Sequence, residues 1–310
     1  MGCSAPNREH GESSRAHSLP MQDLSRVTEL LHARLDALWP TASSGAGGAV
    51  EQAARYALLA PGKRVRPLLA LAACLEYGGA LELALDAACA VEMVHAASLI
   101  LDDLPCMDDA QMRRGRPATH RAFGEAAGLL AAIALLNRAY AVIAAEPRLP
   151  PEVRLGLIAR LSAAIGPEGL VGGQAADLHE RPGYQRCEAV DELNRRKTGA
   201  LFAAALELGA RCAGASDASA ALMGAAGERL GLAFQTIDDV LDQTEASAAL
   251  GKDANKDQGK PSVASLAGLA EARARARQEI EAALAQTREA GARGGVLAAY
   301  LTEAFQAALA

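Results

Sequence analysis

The sequence predicts an all-α fold, a single large helical bundle with an alanine-rich core. Alanine and leucine dominate a chain of 310 residues that is 51% hydrophobic but only 3% aromatic, a composition that favours helix over sheet. Apolar residues recur at helical spacing almost everywhere after Pro20, and no stretch alternates as a half-buried strand does. Glycine and proline punctuate the periodic stretches, and no fixed repeat or long linker divides the chain.

Residues 1–21 lack the apolar centre of a secretory signal and are expected to form a disordered tail. Met1-Gly2-Cys3 hints at lipidation, but Pro6 stands where Ser or Thr is required, and Glu9 and Glu12 weigh against a transit peptide. Residues 22–310 then form the helical domain. Helices are predicted over 22–38, 49–59, 67–77, 81–103, 119–145, 151–165, 187–212, 216–242 and 269–290, with a last one closing the chain. The second and third are separated at Pro61-Gly62, and Pro67 suits the first position of the third. Gly78-Gly79, Arg181-Pro182-Gly183 and the 251–261 stretch mark later breaks.

A net charge of −6 and the scarcity of stacking aromatics argue against a nucleic-acid surface. The longest apolar run, near 126–136, is too short to cross a bilayer, so no membrane span is expected. Six scattered cysteines without a Cys-x-x-Cys pair point to reduced thiols and a cytoplasmic setting.

The predicted helix 81–103 is apolar nearly all round, which marks it as central and buried. It arrives at Asp102-Asp103, Pro105 disfavours its continuation, and Asp108-Asp109 follow. Carboxylates at the negative end of a helix, about 4 Å apart, repel by roughly 1–4 kcal/mol. A hard cation offsets this, and Mg²⁺ suits the site because it shares its coordination between carboxylates, water and phosphate. Arg113 and Arg114 follow, with forked donors that suit phosphate oxygens.

A second acidic cluster, Asp238-Asp239-x-x-Asp242, puts Asp238, Asp242 and Gln235 on one helix face and precedes Lys252, Lys256 and Lys260. Two such clusters suit several Mg²⁺ ions around one diphosphate. Gly62-Lys63-x-x-Arg66, at the start of a predicted helix, forms a separate anion site without P-loop character. A competing pattern exists in Glu29-x-x-His32 and Glu92-x-x-His95, which superficially match a di-iron carboxylate bundle. That reading leaves the basic residues unexplained.

Taken together these residues resemble the trans-prenyltransferase family, the head-to-tail isoprenyl diphosphate synthases. The likeness spans about 49–262. It includes both aspartate motifs, Gly62-Lys63-x-x-Arg66, Gly173-Gln174-x-x-Asp177, Lys197-Thr198-Gly199, Phe234-Gln235 and Gly251-Lys252-Asp253. The stretch from Met107 to His120 is particularly similar to bacterial carotenoid-pathway geranylgeranyl diphosphate synthases.

The resemblance implies an isoprenoid-synthase bundle around a central active-site cavity, working as a homodimer. It implies about three Mg²⁺ ions on Asp102, Asp103, Asp108, Asp238, Asp239 and Asp242. It places an allylic diphosphate on Lys197, Lys252 and Lys260, with Thr198 and Gln235 facing the developing carbocation and Phe234 beside them. Isopentenyl diphosphate falls to Gly62, Lys63, Arg66, His95, Arg113 and Arg114. Ala110 and Gln111 stand where many relatives carry further acids, and Pro261-Ser262 follow the last lysine where Thr is commoner. The small Ala97 and Ser98, just before the first motif, imply an open product tunnel and a C20 product, with C15 as the runner-up.

Overall fold

The computed structural model describes residues 22–39, 48–248, 260–292 and 295–309. The predicted tail, residues 40–47 and 249–259 (hence Lys252 and Lys256), 293–294 and 310 lie outside the described residues.

The chain is a helical bundle in the order α1 (Gln22–Leu38), α2 (Gly48–Leu58), α3 (Val65–Glu76) and α4 (Leu81–Asp102). A two-residue hairpin follows, β1 (Met112–Arg113) and β2 (Arg116–Pro117), then α5 (Thr119–Phe123), α6 (Glu125–Ala144), α7 (Pro151–Ile165) and α8 (Leu170–His179). The second half holds α9 (Cys187–Asn194), a π-turn (Arg195–Gly199), α10 (Ala200–Cys212), α11 (Asp217–Ala248), α12 (Val263–Ala267), α13 (Leu269–Glu289) and α14 (Val296–Leu309).

Helix α4 is the axis. It packs against α3, α6 and α10, with α1, α2 and α7 around it, while α11 lies between α10 and α13. Most of its residues from Ala84 to Ile100 are buried, as its lack of a polar face requires.

Several boundaries differ from the sequence expectation for physical reasons. α3 begins two residues before Pro67, because the first helical N–H groups need no intrahelical partner and Pro67 fits within that first turn. The predicted helix 119–145 breaks at Gly124, whose φ of 87° belongs to glycine. α11 runs past Asp242 to Ala248, so the second acidic cluster lies inside a helix rather than at its end. α8, unpredicted because Gly172 and Gly173 dilute its pattern, packs against the π-turn. A methyl group at Gly173 would stand 2.3 Å from the Lys197 backbone nitrogen, so only glycine permits that approach.

The expectation that no apolar stretch matches a bilayer needs qualification. By length and composition Leu81–Asp102, Glu125–Ala144 and Pro151–His179 each suffice. The first is 72% buried inside the protein, the others 39% and 22%. On α6 the exposed Leu129, Leu130 and Ile133 share one face.

Candidate active site

The first acidic cluster forms where α4 stops. Asp103 caps the helix, and the following loop curls back: Asp108 N donates to Asp102 O at 3.0 Å and Ala110 N to Asp103 O at 3.1 Å. Asp102 and Asp108 are thereby brought together. Burial, and then the negative charges of Asp108 and Asp103, raise the Asp102 carboxyl to about 6 against the pull of Lys197 and Arg113.

Asp103 has a different position from its neighbour. It is 1% exposed, and both oxygens accept from Arg113, whose Nε and Nη2 lie 3.0 and 2.5 Å from Oδ1. As placed, Asp103 and Arg113 engage each other, one anchoring the hairpin and the other screening the cluster. Asp103 and Arg113 are thus taken up with each other, whereas Arg114 turns to His95.

Asp238, Asp239 and Asp242 lie on α11. Burial, followed by the charges of Asp242 and Asp239, raises Asp238 to about 6, while Lys63 and Arg66 act in the opposite direction. The influence of Lys63 and Arg66 shows that the α2–α3 turn faces the second cluster. Gln235 joins this cluster to the π-turn: Thr198 Oγ1 donates to Gln235 Oε1 at 3.0 Å, and Gln235 Nε2 donates to Asp239 Oδ1 at 3.2 Å.

Two lysines approach from the other side. Lys197 Nζ lies 2.5 Å from Asp177 Oδ2, and Lys260 Nζ lies 3.5 Å from Asp108 Oδ1. Burial opposes the charge of Asp177, but Lys197 and Arg181 outweigh it and hold its pKa below the usual carboxylate range. Arg181 also donates from Nε to Pro261 O at 2.9 Å, fixing the backbone next to Lys260. Gln174-x-x-Asp177 was visible as a motif, but its partnership with Lys197 was not, and Arg181 carried no signal.

A separate basic pocket lies at the α2–α3 turn. His95 Nε2 is 3.3 Å from Arg114 Nη2 and 3.5 Å from Arg66 Nη1. Burial and then the surrounding arginines push the His95 pKa well below its ordinary value, so the ring is neutral. Its Nε2 accepts from these arginines, leaving the proton on Nδ1. Arg66 sits over Phe202 at 4.6 Å and Phe234 at 5.9 Å, and burial lowers its pKa to about 10. Its buried Nε has no hydrogen-bond partner among the described residues.

The turn itself is held by Arg64, a left-handed residue (φ 50°) at the N-terminus of α3. Arg64 is buried, pairs with Glu92 and donates to Ala60 O and, at 3.3 Å, to His32 Nε2. The di-iron pattern therefore fails: Glu92 and His32 are partners of an arginine, and Glu29 is exposed.

These donors suit Mg²⁺. Asp102 and Asp238 are hard oxygen donors raised to about 6 by burial first and by neighbouring carboxylates second, and a divalent cation would favour their charged forms. Among the described residues no group of three or more His, Cys, Asp or Glu side chains forms a ready-made metal cage. Mg²⁺ bound through one or two carboxylates plus phosphate and water needs none.

Ala97 lies fully buried on α4, five residues before Asp102, and Ser98 Oγ donates to His95 O at 2.9 Å. Small side chains thus line the helix behind the first cluster.

Comparison with known proteins places the chain in a family. The chain is 38% identical over 290 residues to the geranylgeranyl diphosphate synthase of Pseudescherichia vulneris, covering 93% of each chain. It is 44% identical over 252 residues to that of Pantoea ananas, covering 81% of this chain and 82% of that one. Its fold matches the crystal structure of an FPP/GFPP synthase from Zymomonas mobilis with a TM-score of 0.77 and 33% identity, over 89% of this chain and 95% of that chain. Residues 48–299, which hold both acidic clusters and both basic stations, match the Polyprenyl synthetase family, and to that family the chain belongs.

Proposed function

We propose that the chain condenses isopentenyl diphosphate with allylic diphosphates in a Mg²⁺-dependent, head-to-tail reaction and releases geranylgeranyl diphosphate (C20) for isoprenoid, including carotenoid, biosynthesis. The observation that carries this reading is two separate groups of cationic side chains, each of which would take a diphosphate. One joins the acidic clusters to Lys197 and Lys260; the other is the metal-free pocket of Lys63, Arg66, His95 and Arg114.

Asp102, Asp108, Asp238, Asp239 and Asp242 would hold the ions, which neutralise the leaving diphosphate. Lys197 and Lys260, with Lys252 from outside the described residues, bind the same group. The allylic C–O bond breaks and diphosphate leaves with the electron pair. Thr198 and Gln235 oxygens face the resulting cation, and fixed dipoles there stabilise it without reorganisation. The isopentenyl double bond, positioned by Arg66 and Arg114, attacks the cation, and loss of a proton to the departed diphosphate restores a double bond.

The small side chain of Ala97, in place of a bulky one just before the first cluster, supports the C20 assignment. Exposed Leu129, Leu130 and Ile133 on α6 support a homodimer through that face, and the five unpaired cysteines among the described residues support a cytoplasmic setting.

The test is incubation of the purified protein with Mg²⁺, isopentenyl diphosphate and each allylic starter, followed by product sizing. A C20 product is expected, and a C15 product would make it a farnesyl diphosphate synthase. Failure to elongate any starter would overturn the reading in favour of a non-catalytic subunit. Light scattering of wild type and Ile133→Glu checks the dimer: the variant should be monomeric.

A further inference from the structure

The arginine hairpin is seated on α2 by a two-residue staple, Tyr56 and Arg116, to which no role was assigned above. Arg116, on β2, places its guanidinium 4.2 Å over the Tyr56 ring and donates from Nη2 to Tyr56 O at 2.8 Å. Tyr56 answers with its hydroxyl, which donates to Pro117 O at 2.9 Å. Phe123 closes the other side of the ring edge-on, with centroids 5.2 Å apart. The backbone of β2 is therefore held from two directions at once.

The geometry carries this seating to the pocket. β2 pairs with β1 in the register Arg113↔Arg116, through a tight turn at Arg114 and Gly115, both with positive φ. Such a turn leaves little freedom between the strands. Fixing Arg116 thus fixes Arg114, whose guanidinium meets His95 and lies against Gly62. Gly62 belongs to the turn that leaves the C-terminal end of α2, the same helix that carries Tyr56. Two points of contact, Tyr56 with Arg116 and Gly62 with Arg114, register the hairpin against the segment bearing Lys63 and Arg66. The seam between α2, α4 and the hairpin leaves a void of only ≈20 Å³, about one water's worth.

We propose that Tyr56 and Arg116 are positioning residues for the isopentenyl diphosphate pocket, setting the distance between Arg114 on the hairpin and Lys63 and Arg66 at the α2–α3 turn. This rests on the functional reading above. Neither residue touches the substrate, and the allylic station is held mainly by the π-turn, α8 and α11, meeting the hairpin only through Arg113 and Asp103.

The test compares Tyr56→Leu, Tyr56→Phe, Arg116→Met and Arg116→Lys with wild type. Each substrate is varied separately, isopentenyl diphosphate is titrated calorimetrically without metal, and the Tm is recorded. Tyr56→Leu and Arg116→Met are expected to weaken isopentenyl diphosphate in KM and in Kd by about tenfold, as sub-ångström displacement of an anchor does. The allylic KM should change less than about twofold. Tyr56→Phe keeps the ring beneath the guanidinium, and Arg116→Lys keeps the cation over the ring, so each should recover part of the loss.

Equal movement of both KM values, or a lower Tm with both unchanged, would make the staple merely structural and overturn the inference. A wild type that binds isopentenyl diphosphate but elongates nothing counts against the functional reading alone. A wild type that does not bind it overturns both.

Discussion

Lys197 and Arg181 grip opposite oxygens of one buried carboxylate, Asp177: Lys197 Nζ lies 2.5 Å from Oδ2 and Arg181 Nη1 lies 2.7 Å from Oδ1. One side chain therefore orients a cation of the π-turn and, through Arg181 and Pro261, the backbone beside Lys260. Asp177→Asn keeps the shape and removes the charge that both cations require. It should lower kcat/KM about 100-fold, the scale set by misplacing a catalytic group. Leaving a buried cation unpaired should also cost about 3 kcal/mol in urea unfolding. Steady-state kinetics and a denaturation curve check both.

Two glycines give contrasting outcomes. In Gly173→Ala the new carbon meets Lys197 backbone N at 2.3 Å and Cα at 2.6 Å, and backbone cannot step aside. Overpacking of this kind costs about 1–3 kcal/mol or more, and it should displace Lys197 and lower the Tm and kcat together. In Gly62→Ala the new carbon meets the Arg114 guanidinium, 2.9 Å from Cζ, at the mobile end of a long side chain. The Tm should hold while the isopentenyl diphosphate KM rises about fivefold through the displaced guanidinium.

Ala97 predicts where growth of the product can be stopped. Ala97→Tyr adds a ring to a fully buried site behind the first cluster. Product chromatography should shift from C20 to C15, with about 1–3 kcal/mol of overpacking cost. An unchanged product length would remove Ala97 from the ruler.

His95 makes stability depend on pH. Burial and nearby arginines hold its folded pKa well below the ordinary 6.5, so the unfolded chain takes up this proton first as the pH falls. Its contribution is present above about pH 6.5 and is lost on acidification, by at most about 1.4 kcal/mol per pH unit. The measurement is differential: wild type should lose stability relative to His95→Gln between pH 6.5 and 5 in urea unfolding. Parallel profiles would contradict a neutral His95.

The bundle was legible because alanine and leucine periodicity is strong, and α4 could be recognised as the axis from its lack of a polar face. Both acidic clusters were legible because like charges next to apolar helix demand a counter-ion. What escaped is tertiary. Whether Asp103 faces metal or Arg113 depends on where a hairpin of two-residue strands folds back, and strands that short have no period. Glu92 and His32 suggested iron until Arg64, 28 and 32 residues away in sequence from them, proved to be their partner. Asp177 and Lys197, 20 residues apart, meet only because Gly173 lets two backbones touch.

The π-turn at Arg195–Gly199 has a consequence for how this region tolerates change. A π-turn is a helix carrying one residue more than its α-helical pitch accommodates. Deleting a residue from 195–199 would leave a smoother and locally more regular helix. The flanking helices would stay in phase, but Lys197 and Thr198, which lie inside the turn, would shift to other faces. Lys197 could no longer face Asp177 while Thr198 faces Gln235. A shortened chain of this kind should fold with a healthy helical spectrum and lose its chemistry.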